Sequence, residues 1–139
     1  MSTSKVIYLN DLRTNATHLA SNSTIVTDAP VDNHGKGEAF SPTDLAATSL
    51  AACMITVLGI HADKSGINMK GTHAEVTKIM NTEGPRRIVA IDVKLEIVTT
   101  ETMDEKQRII IERVAKTCPV SLSLHPDIQQ NITISFSTN

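Results

Sequence analysis

Apolar and polar residues alternate most regularly along Val89 to Ile97, where Val89, Ile91, Val93, Leu95 and Ile97 interleave with Ala90, Asp92, Lys94 and Glu96. A period of two belongs to a strand with one face on a core and the other in water, as in an antiparallel sheet covered on one side. Another strand precedes it, joined near Glu83-Gly84-Pro85, and a last one alternates Ile132, Ile134 and Phe136 with Thr133, Ser135 and Ser137. At the start of the chain, Lys5 to Thr27 is rich in Val, Ile, Thr and Tyr and is broken at Ser21-Asn22-Ser23. That segment reads as a hairpin, with Tyr8, Leu12 and Ile25-Val26 helping to face it inward. Ala29 to Phe40 carries Asp32-Asn33 and two glycines flanking Lys36, which makes it a surface loop.

The period changes after Phe40. Ser41 is a capping residue, Pro42 suits the first helical position, and Asp44 stands where it can return the cap. The helix then runs through Leu45, Leu50, Met54, Val57 and Leu58 to about Lys64, with Gly66 as its terminator. Its middle, Ala46 to Cys53, is small on most faces, the mark of a central helix approached from several sides. Thr102-Met103-Asp104-Glu105 reads as a capping box opening a second helix, which ends near Thr117 because Pro119 biases Cys118 away from helical geometry. Pro119 in turn opens a short helix to Leu124, with Cys118 just before it. Strands, helix, strands, helix, strand is the order of a single α+β domain, residues 1–139, with a mostly antiparallel sheet.

Composition narrows the partners. The chain is 40% hydrophobic and 20% charged, an ordinary globule. Only Tyr8, Phe40 and Phe136 are aromatic and the net charge is −2, so nucleic acid is not an expected partner. Met1-Ser2-Thr3-Ser4-Lys5 has no apolar stretch behind its charge and does not read as a signal peptide. No uninterrupted apolar run approaches 18 residues, so no membrane span is expected and the cytoplasm is the default location. The five histidines lack ligand spacing, and Gly35-Lys36-Gly37 precedes no strand-to-helix phosphate turn; no metal, nucleotide or flavin is expected.

Two cysteines without an export signal suit reversible redox work or simple burial better than a permanent staple. Cys118 sits before a helix N-terminus, where free N–H groups favour a thiolate. Cys53 lies among Ala and Ser on the central helix, where other groups can reach its sulfur. His125 is close enough in sequence to adjust Cys118, though a turn or interface role suits it better.

Ser41-Pro42-Thr43-Asp44-Leu45, then Leu50-Ala51-Ala52-Cys53, then Cys118-Pro119-Val120-Ser121 after a capped helix, resembles the OsmC/organic-hydroperoxide-resistance (Ohr) family over essentially the whole chain. The resemblance implies an intertwined homodimer with two sites at the subunit interface. It implies reduction of organic hydroperoxides, with Cys53 attacking the peroxide and Cys118 resolving the sulfenic acid to a disulfide that a cellular dithiol reopens. The family's peroxidases carry a glutamate directly after the motif proline; this chain has Thr43 there. Asp44 is adjacent, yet it lies two and a half helical turns from Cys53, on the opposite side of the rod. Residue 43 is about 15 Å from Cys53 along a straight helix, so a contact between helix start and sulfur is expected from the other subunit. For the family's arginine, Arg13 is the leading candidate to stabilise the Cys53 thiolate and Lys36 the runner-up. A second expectation, kept open by Thr43, is an OsmC-like dimer that binds a small hydrophobic or acyl ligand without peroxide turnover. A third is a structural stress protein with inert thiols.

Overall fold

Strands β1 (Ser4–Tyr8), β2 (Arg13–His18) and β3 (Thr24–Asp28) form an antiparallel meander. The computed structural model describes all 139 residues. They divide by internal packing into two units, Met1–Ala46 and Ala47–Asn139.

In the first unit the expected single hairpin is two. The additional reversal is made by Asn10, Asp11 and Leu12, all left-handed, with φ of 68°, 53° and 61°. Asn and Asp tolerate that region, whereas Leu rarely enters it. Two backbone bonds hold the turn, Leu9 N–H to the Arg13 carbonyl (2.9 Å) and Arg13 N–H to the Asn10 carbonyl (3.1 Å). The inward-facing side chains expected here do not point into a core. Tyr8, Leu12, Ile25 and Val26 are all exposed in the single chain, because a three-stranded sheet of this size has nothing of its own to cover it. Ala29–Phe40 is the surface loop expected, with one 3-10 turn over Val31–Asn33. It folds back so closely that a Cβ at Gly35 would stand 1.7 Å from the Ala29 carbonyl oxygen.

Helix α1 (Pro42–Ser65) starts and stops where the sequence says. Ser41 N–H donates to Asp44 Oδ2 (2.9 Å) and Asp44 N–H to Ser41 Oγ (3.0 Å), a reciprocal cap. Gly66 follows the last turn at φ +68°. Ala47, Leu50, Ala51, Met54, Leu58 and Ala62 make its buried stripe. By length and composition alone α1 could cross a membrane: 24 residues, with a mean hydropathy of 1.8 over its most apolar stretch. The small residues that fill the gaps between its large ones make the rod apolar all round.

In the second unit, β4 (His73–Met80) pairs antiparallel with β5 (Ile88–Thr99), and β6 (Gln129–Thr138) pairs with β5 in parallel. Parallel neighbours need a crossover, supplied by α2 (Glu105–Ala115) and α3 (Pro119–Ser123). Three of the four ladders in the chain are antiparallel, as expected. The period-two strand is the spine of the core: Ile91, Val93, Leu95 and Ile97 are buried with Leu50, Met54 and Leu58 of α1, Ile111 and Ala115 of α2, and Cys118. The second capping box is displaced from its expected place. Asp104, not Thr102, is the N-cap; its Oδ1 accepts from Gln107 N–H (2.8 Å) and its own N–H donates to Gln107 Oε1 (3.0 Å). A carboxylate with a glutamine three positions on wins over the threonine–glutamate alternative two residues earlier.

Candidate active site

Cys53 lies on α1 one residue before the buried Met54, at the margin of the helix's core stripe, and is half-buried there. Cys118 is fully buried, the N-cap of α3. Its Sγ accepts the Ser121 backbone N–H at 3.4 Å, and Pro119 occupies the first helical position. The fold brings the two free thiols together: Cys53 is close enough to shift the Cys118 thiol. They are 65 positions apart in sequence, joined in space by the packing of α1 against the crossover.

The electrostatics of the pair correct the sequence reading, in which the helix start made Cys118 the more visible thiolate. Burial pushes the Cys118 thiol up, and the hydrogen bond and charge of Cys53 push it further. The N–H groups of Ser121 and Val120 act in the opposite direction and are outweighed. Cys118 therefore holds its proton. Cys53 is the more accessible of the two.

The other candidates occupy separate places. Arg13 sits on β2 with its side chain 32% exposed, and its Nη1 is 3.5 Å from Glu38 Oε2. Lys36 is exposed in the loop before α1. Asp44 closes the α1 cap, and Thr43 Oγ1 lies 3.2 Å from Ser41 Oγ beside it. His125 is an exposed turn residue whose Nδ1 accepts the Asp127 N–H (3.1 Å).

One polar partnership near the thiols was not legible in the sequence. Ser121 Oγ donates to Gln130 Oε1 (2.6 Å), and Gln130 Nε2 donates back to the Ser121 carbonyl (3.0 Å). The two residues border a cleft of about 350 Å³ with Met54, Ala115, Lys116 and Ile132. A larger cleft of about 490 Å³ lies by the C-terminal half of α1, between Ile55, Gly59, Ala62, Ile67 and Met69. Neither cysteine lines either of them.

A family model described as OsmC-like protein matches residues 35–133. Among solved structures, a candidate osmotic stress induced and detoxification response protein from Psychrobacter arcticus 273-4 is 53% identical, covering 97% of this chain and 96% of its own, with a TM-score of 0.90. An OsmC-like protein from Mycoplasma pneumoniae is 19% identical, covering 96% of this chain and 94% of its own, with a TM-score of 0.77. An organic hydroperoxide resistance protein OsmC from Legionella pneumophila is 15% identical, covering 97% and 96%, with a TM-score of 0.71. No curated protein matches. The matched span contains α1 with Cys53, the crossover with Cys118 and the strands between them, and on that ground the chain belongs to the OsmC-like protein family.

Proposed function

We propose that this protein is a two-cysteine thiol peroxidase for organic hydroperoxides, acting as a homodimer. The observation that carries the reading is the contact between the half-buried Cys53 and the buried, proton-holding Cys118. The Cys53 thiolate attacks the distal peroxide oxygen; the O–O bond breaks, the sulfur is oxidised to sulfenic acid, and the alkoxide leaves and takes a proton. Cys118 then gives up its proton and attacks Cys53 Sγ, forming the S–S bond and expelling water. A cellular dithiol reduces the disulfide by exchange. Arg13, or else Lys36, is the cation proposed to favour the Cys53 thiolate, with Thr43 and Asp44 as the helix-start residues whose role is open to mutation. The names of two relatives support the assignment. The Legionella pneumophila neighbour is called an organic hydroperoxide resistance protein, and the Psychrobacter arcticus relative a candidate detoxification response protein.

The test is stoichiometric cumene hydroperoxide on reduced protein, with free thiols counted and the disulfide mapped by mass spectrometry. Loss of both thiols to one Cys53–Cys118 bond is expected. Two thiols surviving prolonged exposure would end the peroxidase reading. A second reading, binding of a small hydrophobic ligand without turnover, is favoured by the 490 Å³ cleft, whose volume and apolar Ile55, Ile67 and Met69 suit such a molecule. It predicts thermal stabilisation by apolar compounds and no disulfide after peroxide.

A further inference from the structure

We infer that Gln130 is a positioning residue for the resolving thiol, acting on Cys118 through Ser121. The inference rests on the two-cysteine reading but concerns the second half of its cycle, the attack by Cys118.

Helix α3 has five residues, too few to be stable alone. Its internal bonds, Leu122 N–H to the Cys118 carbonyl and Leu124 N–H to the Val120 carbonyl, fix its shape but not its place. The place is set by Val120 and Leu124, packed on the core, and by Ser121, which is tied in three directions at once. Its N–H holds Cys118 Sγ, its hydroxyl donates to Gln130 Oε1, and its carbonyl accepts from Gln130 Nε2. Gln130 belongs to β6, where it stands opposite Ile91 in the parallel ladder with the central strand of the core. The amide therefore transmits the position of the sheet to Ser121, whose N–H is hydrogen-bonded to the sulfur.

This matters because Cys118 is buried and held protonated in the resting pair. To resolve, it must become a thiolate in a place that disfavours charge, and the Ser121 N–H is a donor already aimed at that sulfur. A donor that wanders loses most of its value to a developing anion. Gln130 keeps it still. The first step, at Cys53, makes no use of this clamp.

Ellman's disulfide separates the two steps without peroxide. The Cys53 thiolate displaces one thionitrobenzoate and forms a mixed disulfide. The Cys118 thiolate then attacks Cys53 Sγ, makes the intramolecular bond and releases a second thionitrobenzoate, so both phases are read by absorbance. In Gln130→Leu the first phase is expected within twofold of the parent and the second slowed about tenfold. Ser121→Ala, which keeps the N–H but loses the hydroxyl bond, should fall between them. Gln130→Glu keeps the acceptor for Ser121 Oγ and sets a carboxylate against the Ser121 carbonyl, so it should slow the second phase as well. With peroxide, Gln130→Leu should accumulate a dimedone-trappable sulfenic acid at Cys53. An unchanged second phase in Gln130→Leu would overturn the inference, as would both phases slowing equally alongside a lowered melting temperature. If the second phase responds but peroxide oxidises neither thiol, the clamp stands and the peroxidase reading falls.

Discussion

Arg13 and Asp28 face each other directly across the β2–β3 ladder, and each keeps one buried polar atom, Nε and Oδ1, without a hydrogen-bond partner. Asp28 is fully buried; its other oxygen accepts the Glu38 N–H at 2.9 Å, and Glu38 in turn pairs with Arg13. Cross-strand neighbours in this register project from the same face, which sets the guanidinium and the buried carboxylate on one side of the sheet. A double-mutant cycle of Arg13→Leu and Asp28→Asn, followed by urea unfolding, should return a coupling of about 0.5–3 kcal/mol. Additive effects would mean that Arg13 is free to serve elsewhere at no cost to its own sheet.

Cys118 gives the protein a pH dependence with a definite sign. The folded chain holds this proton above the ordinary thiol value of 9.0, so in that range it binds more protons than the unfolded chain. Stability from this group is then fully present below pH 9 and is lost as pH rises through the raised value. Cys118→Ala lowers the baseline by leaving a small void but should flatten the alkaline slope. Denaturant titrations at a series of pH values compare the slopes. An equal slope in the variant would assign the effect to another group.

Each cysteine also has its own signature. Iodoacetamide should label half-buried Cys53 well before fully buried Cys118, as peptide mass spectrometry would show. With cumene hydroperoxide, Cys53→Ser should consume none, whereas Cys118→Ser should react once and stop at a trappable sulfenic acid. Reaction of Cys53→Ser at the parent rate would reverse the two roles.

Two glycines separate packing from helix propensity. Gly35→Ala places a methyl group on the Ala29 carbonyl and should cost about 1–3 kcal/mol. Gly59→Ala, inside α1 with nothing within 4 Å of the new atom, should stabilise by about 0.5–1 kcal/mol. Thermal unfolding measures both. A loss at position 59 would indicate that a second copy of the chain packs there.

How much of this was legible before the structure depended on the range of each interaction. α1 was readable at both ends because Ser41, Pro42, Asp44 and Gly66 act on backbone within one turn. β5 was readable because burial on one face writes a period of two. The turn at Asn10–Leu12 was missed because Leu is a poor signal for left-handed backbone, and the cap at Asp104 because two overlapping boxes competed within six residues. At the site, the cysteines were found from local motifs. Which of them keeps its proton was not, because burial depends on what α1, β5 and α2 place around Cys118. Gln130 carried no signal at all: its role exists only once β6 lies beside β5.

The parallel ladder has a consequence for the order of folding. Ala90 pairs with Gln129 and Thr99 with Thr138, so every rung of β5–β6 closes a long loop that contains α2 and α3. Such contacts form late, because the entropy of closing the loop is spent before any rung is made. During synthesis α1 and its cysteine leave the ribosome well before β6 does, and until that strand docks the Ser121–Gln130 bonds beside Cys118 are missing. The seat of α3 is therefore complete only when the final strand closes the sheet.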